Sequence, residues 1–403
     1  YLDKKNKPLF YFANRAHHSD IGGITPGSMP AFSKNIYEEG IIFNGFPVLK
    51  NGLIMEKKIL SKLINNKYPS RDPQQNLYDI KAQIAACQKG IIEINRIINK
   101  YGIQLVNKYV NFVQENCKDI INEIVKHIPP VSHKIKMDNN AILSLNAYYS
   151  QNNQKFVFDF RNCSEELDNN FNAPVAVTKS VVIYFLRTLI KEDIPLNEGC
   201  LKDITIKLGS NSILNPQFPS PVVAGNVETS QSLIDLLNTA TGVQAACYGT
   251  MSNITFGNKK FGYYETICGG EGASHKNNGC DAVHCHMTNT SITDAEIFEW
   301  FYPVRLITFK IRKDSGGSGK WKGGNGVIRE IEFLKNLELT ILSNRRKTSA
   351  SGIKGGGNGM KGVNFLVRKN KKIIKLDYIC RIKVKKGDKL RIATPGGGGY
   401  GKV

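Results

Sequence analysis

The sequence predicts an α+β protein: a mixed α/β part with a long antiparallel helical hairpin, residues 1–300, followed by a glycine-rich all-β lobe, residues 301–403. Three observations carry this. Apolar residues recur at steps of three and four from Leu77 to Ile124. They alternate at a period of two in short runs around residues 142–160. Beyond residue 300, short β-rich runs alternate with glycine clusters.

The elements follow in order. Leu9-Phe10-Tyr11-Phe12-Ala13 reads as a buried strand, with the glycines at 22 and 23 closing the segment after it. Residues 22–40 form a turn-rich loop, with Thr25-Pro26-Gly27-Ser28-Met29-Pro30 at its centre. Leu77, Ile80, Ile84, Cys87, Ile91, Ile94 and Ile98 mark one amphipathic helix, capped by Asp72 or Asn76; Val106, Val110, Val113, Cys117, Ile120 and Ile124 mark a second. Gly102 separates them, which gives a helical hairpin over about 76–128 whose apolar stripes pack together or against a sheet. Residues 142–149 and 155–160 read as a β-hairpin. Helices follow at 173–191, 230–246 and 294–300, with a strand at 203–208. The runs 304–312, 327–333, 337–342, 363–367, 380–384 and 389–392 build a barrel or sandwich, its glycines turning corners.

Composition excludes several classes. Fifty-five basic against 34 acidic residues leave a charge of +21, but the lysines are dispersed among Asn and Ile and no aromatic-rich basic motif accompanies them. No nucleic-acid partner is expected. No apolar run has the length of a membrane span and no signal peptide is seen. Nine dispersed cysteines without a Cys-x-x-Cys pair fit a reducing cytosol, so a cytoplasmic location is expected. Cys87, Cys117 and Cys247 read as core residues. The clusters at Gly319-Lys320, 355–361 and 396–401 lack the spacing of a phosphate loop.

Four of the seven histidines fall in two tight groups, His17-His18 with Asp20, and His284 with His286 around Cys285. Imidazole and carboxylate together suit a divalent transition metal. On an alternating strand His284 and His286 share a face, with Cys285 pointing away. The two groups are expected to line one cleft.

Several motifs carry a family resemblance. Residues 14–23 (Asn14-Arg15-Ala16-His17-His18-Ser19-Asp20-Ile21-Gly22-Gly23), residues 25–30, Glu38-Glu39-Gly40 and residues 76–83 resemble the hydantoinase B/oxoprolinase family. So do Phe171-Asn172-Ala173-Pro174, residues 225–231 around Asn226, residues 262–266 around Glu265, residues 284–290 and the tail 394–401. Residues 195–200 and 292–297 resemble the 5-oxoprolinase branch in particular.

The resemblance implies ATP-dependent hydrolysis of a cyclic amide, with this chain the B-type part that adds water to the activated 5-oxoproline lactam and yields glutamate. ATP is then bound by a hydantoinase A-type half or subunit that is not in this sequence. It also implies a divalent metal (Mn, Zn or Mg) on His17 and Asp20, incomplete because the family's upstream His-x-x-Asp pair is missing. His284, His286, Glu265 and Asp20 are the implied catalytic residues, and Arg15, Asn226 and Asn289 the implied substrate binders. Position 1 is Tyr and the sequence enters an apolar run at once, so the chain is read as a fragment of a longer, oligomeric enzyme. Two other readings are a hydantoinase B or acetone-carboxylase-type α subunit acting on another carbonyl or cyclic amide, and a non-catalytic remnant.

Overall fold

A computed structural model describes residue 1 and residues 7–403. Two short strands, β1 (Leu49–Lys50) and β2 (Leu53–Ile54), precede three helices: α1 (Glu56–Ile64), α2 (Pro73–Tyr101) and α3 (Ile103–Lys126). Strands β3 (Val131–Lys136), β4 (Ile142–Ser150) and β5 (Lys155–Asp159) lead to α4 (Val175–Thr188), β6 (Ile204–Lys207) and α5 (Ser230–Thr241). Next come β7 (Asn253–Gly257), β8 (Gly262–Glu265), α6 (Ala295–Phe301), β9 (Val304–Ile311), β10 (Val327–Phe333) and β11 (Leu337–Leu342). The last strands are β12 (Val363–Val367), β13 (Ile373–Leu376), β14 (Ile379–Val384) and β15 (Lys389–Ala393). The α+β class holds.

Three sheets organise the chain, in the orders β3-β4-β5-β6, β14-β11-β7-β8 and β13-β12-β15-β10-β9. None closes into a barrel. The second and third share one apolar core, with Phe256, Leu339 and Ile341 meeting Ile331, Leu366 and Leu390. The far side of the second sheet contributes Leu342 to a larger core, which joins the first sheet to α4, α5 and the end of α3 through Phe158, Phe185, Leu236 and Cys117. The middle sheet is therefore buried on both faces. It also draws strands from both sides of the 300/301 boundary, because β11, which pairs with β14, pairs on its other edge with β7, and β7 in turn with β8.

Four expectations change. Residues 9–13 form no strand: they run extended and largely exposed along α2, where Asn14 Nδ2 donates to the Gln83 carbonyl at 2.7 Å. The run's aromatic residues suggested a core strand, yet Tyr11 lies open to solvent. The helical pair exists, and Asp72 caps it by accepting from the Gln75 N–H. Its stripes, however, are only partly covered. In α2 only Asn76, Leu77 and Ile80 are buried, while Cys117, Ile121 and Val125 of α3 reach the main core.

Residues 284–286 are not in a strand; His286 sits in a turn with φ 54°. The glycine clusters, finally, do not mainly turn corners. Among them only Gly355 and Gly401 have positive φ. The others pack backbone on backbone: Gly397 N–H donates to Gly324 O at 3.0 Å, Gly399 to Gly357 at 2.9 Å and Gly317 to Gly397 at 2.8 Å. A Cβ on Gly270 would overlap the Gly324 carbonyl, and one on Gly397 the Glu271 carbonyl. Glycine is required there for close approach.

Candidate functional site

The His17-His18-Asp20 segment is a fold anchor. Asp20 is buried, and its carboxylate accepts from Gly22 N–H at 3.0 Å, Gly27 N–H at 2.9 Å, Arg71 N–H at 3.2 Å and Arg71 Nη1 at 3.0 Å. His18 leans on α2, 3.3 Å from Asp79 and 3.2 Å from Asn76 Nδ2. His17 and Arg15 are exposed and make no hydrogen bond among the described residues. With four donors on its two oxygens, Asp20 has no lone pair to spare, so the pair His17 and Asp20 does not fit a metal centre.

Glu265 is fully enclosed. Arg329 Nη2 donates to it at 2.9 Å and the Tyr263 hydroxyl at 3.1 Å, and both ends of the ion pair are buried. Burial pushes its carboxyl above the usual range, against the pull of Arg329. Asn226, on a π-helical turn at Gly225–Thr229, and Asn289 are both exposed.

The richest constellation surrounds His286. Helix α5 presents Asp235 and Asn238 one turn apart on one face. Segment 245–249 brings Cys247, whose N–H donates to Asp235 Oδ1 at 2.9 Å, while Arg345 Nη2 donates to Asp235 Oδ2 at 2.8 Å. Gln231 of α5 fixes the next segment by donating to the Cys285 carbonyl at 2.9 Å and the Thr288 hydroxyl at 2.7 Å. That holds the turn which carries His286 inward. Its Nε2 lies 3.1 Å from Cys247 Sγ and 3.5 Å from Asn238 Nδ2, and its Nδ1 lies 3.3 Å from the Tyr184 hydroxyl of α4. The glycine layer contributes as well, since Gly272 N–H points at Cys247 Sγ from 3.2 Å.

The electrostatics follow from enclosure. Burial pushes the Cys247 thiol well above its ordinary value, although His286 pulls it down. For His286 burial alone lowers the pKa, but Cys247 and Glu271 turn the net direction upward. Burial raises the Asp235 carboxyl to about 6 against the pull of Arg345, and the Tyr184 phenol to about 12. His284 differs: both ring nitrogens are enclosed without a partner among the described residues, and burial lowers its pKa, so the imidazole is neutral at pH 7.

The two histidine groups share no partner. Those of His18 lie on α2, whereas those of His286 lie on α4, α5 and segment 245–249. Neither Asp235 nor Tyr184 was legible as a site residue, and Cys247 reads in sequence as a core thiol. The available signal was Asp235 and Asn238 interrupting the apolar face of Leu233-Ile234-Leu236-Leu237.

Fold and site together define an α+β protein with a polar histidine–thiol cluster locked beneath a close-packed glycine layer. The chain belongs to the Hydantoinase B/oxoprolinase family, whose sequence pattern matches residues 2–403. It is 43% identical to 5-oxoprolinase 1 of Arabidopsis thaliana, over 98% of this chain and 33% of that protein. It is 42% identical to 5-oxoprolinase of Dictyostelium discoideum, over 99% of this chain and 32% of that protein. The chain thus spans about a third of the length of these curated relatives. The ATP-dependent caprolactamase of Pseudomonas jessenii shares the fold, with a TM-score of 0.83 at 21% identity over 96% of this chain and 71% of that one. Among the described residues no helix is long and apolar enough to cross a membrane.

Proposed function

We propose that this chain is the B-type part of an ATP-dependent 5-oxoprolinase, which hydrolyses the activated lactam of 5-oxoproline to L-glutamate. The observation that supports it is identity above 40% to 5-oxoprolinases along essentially the whole chain. A lactam resists water because amide resonance must be broken. Phosphorylation of its carbonyl oxygen by an ATP-binding A-type half removes that resistance, and the B-type part then directs water to the carbon. His284 is the residue suited to take the proton from that water, because it is neutral and its two nitrogens are unsatisfied. Glu265 is spent on Arg329. Exposed Arg15, Asn226 and Asn289 remain free to hold carboxylate or phosphate oxygens.

The test is reconstitution with an A-type half. The isolated 403-residue chain is expected to release no glutamate from 5-oxoproline with ATP, and the pair to release it. His284→Gln should then lower kcat by roughly 10²–10⁴-fold, the range of a lost general base. Full activity of that variant removes the role of His284. Absence of activity in the reconstituted wild type, with both parts folded, favours a non-catalytic remnant.

A further inference from the structure

We infer that Asp235, Cys247 and His286 form a mononuclear binding site for a borderline-soft divalent cation of the zinc class. The three residues come from three separate segments, yet one ligand atom of each lies within 4.8 Å of the other two. A set of one thiol sulfur, one imidazole nitrogen and one carboxylate oxygen selects zinc-like ions over magnesium or calcium, which take oxygen ligands. In a tetrahedral site with Zn–S near 2.3 Å and Zn–N near 2.0 Å, sulfur and nitrogen stand roughly 3.5 Å apart. Cys247 Sγ and His286 Nε2 are 3.1 Å apart, so a few tenths of an ångström of opening admits the ion.

The surroundings orient each donor from behind. Tyr184 engages Nδ1 of His286 and leaves Nε2 to face Cys247. The Cys247 N–H and Arg345 fix the carboxylate of Asp235. Gly272 N–H aims at Sγ, where it favours the thiolate form. Metal-binding imidazoles are held in this way through their second nitrogen, and ligating carboxylates are themselves hydrogen-bonded. On binding, Cys247 gives its thiol proton to solvent, His286 keeps its proton on Nδ1 and offers the Nε2 lone pair, and a water completes the four ligands. The ion would tie α5 to segment 245–249 and to the turn that follows His284.

This inference stands on the geometry alone and not on the 5-oxoprolinase reading, so its test does not use turnover. Chelator-stripped full-length protein is titrated with Co²⁺. Uptake of one Co²⁺ with a thiolate-to-cobalt charge-transfer absorption, displaced by Zn²⁺, is expected. Cys247→Ser should abolish that absorption, and Cys285→Ser should keep it. Tyr184→Phe should weaken binding about 10- to 100-fold, the usual cost of losing the group behind a ligand. A folded wild type that gives no thiolate band, or a Cys247→Ser variant that retains it, overturns the site. Should Cys247→Ser fail to fold, X-ray absorption of the zinc-loaded wild type decides: a sulfur scatterer at the zinc–thiolate distance supports the site, and a shell of nitrogen and oxygen alone overturns it.

Discussion

Glu228 shows how single residues are committed in this fold. It is completely buried, and its Oε1 accepts from Met251 N–H at 3.0 Å and Asn253 Nδ2 at 2.7 Å, while Oε2 has no partner among the described residues. Burial raises its pKa from 4.5 to about 8, against the pull of its hydrogen bonds and of Arg346. A carboxyl whose folded pKa lies above its unfolded one stabilises fully below the unfolded value, and that contribution is lost as pH rises through the folded value. The window therefore runs from about pH 4.5 to about pH 8. Glu228→Gln keeps the Oε1 acceptor and places a neutral amide at the unpartnered position. Urea midpoints should coincide for wild type and variant near the low end, and the variant should become the more stable towards pH 8. A difference that stays constant across this range would show that Glu228 does not titrate there.

At the scale of elements, the glycines separate into two kinds. Gly102 links α2 to α3 with φ 77° and ψ 148°, and a Cβ there would meet nothing within 4 Å. Gly102→Ala should cost only the backbone strain, about 1–3 kcal/mol. Gly397 has ordinary φ but no room, because Glu271 and Gly272 lie against it. Gly397→Ala should cost more than about 4 kcal/mol, beyond what most substitutions do, or prevent folding. Thermal melts of both variants check the contrast, and a Gly397→Ala protein as stable as Gly102→Ala would dismiss the close-packed layer.

The same contrast shows what was legible in the sequence. Local patterns exposed β4, β5, β6, β9, β10, β11, β12, β14 and β15, as well as all three α-helices after residue 170, since period and caps are local signals. Strands β3 and β7 do alternate, but with only two aliphatic or aromatic residues each, Val131 and Ile135 in one and Ile254 and Phe256 in the other, they carry little signal, and β8 and β13 are only four residues long. The role of the glycines depends on which distant backbone lies against them, and no pattern of neighbours encodes that. For the same reason His286 was visible as a scarce histidine, while its partner Cys247 looked like any apolar-flanked thiol.

Across the whole molecule, the segments interlock. The middle sheet inserts β11 between β7 and β14, and so joins residues 253–257 to residues 337–384. The glycine layer repeats this stitching: Gly270 N–H donates to the Pro395 carbonyl at 3.1 Å, Ala273 N–H to Gly398 at 2.9 Å and Gly398 N–H to Ala246 at 2.8 Å. Asp138, far earlier in the chain, accepts from the backbone N–H groups of Arg346 at 2.5 Å and Thr348 at 2.8 Å. A cut at 300/301 therefore leaves residues 1–300 with β7 stripped of its partner β11, and residues 301–403 with their apolar core open where Ile254, Phe256 and Phe298 pack. Each piece thus exposes apolar surface that the other covers, which reduces the burial available to offset its chain entropy. Expressed separately, each should lack the dispersed amide spectrum and cooperative melt of a folded domain, and co-expression is the condition under which they should become soluble together. A well-dispersed spectrum from isolated residues 301–403 would show that the lobe folds alone, and that the strands it shares with residues 253–265 are an embellishment of an independent domain.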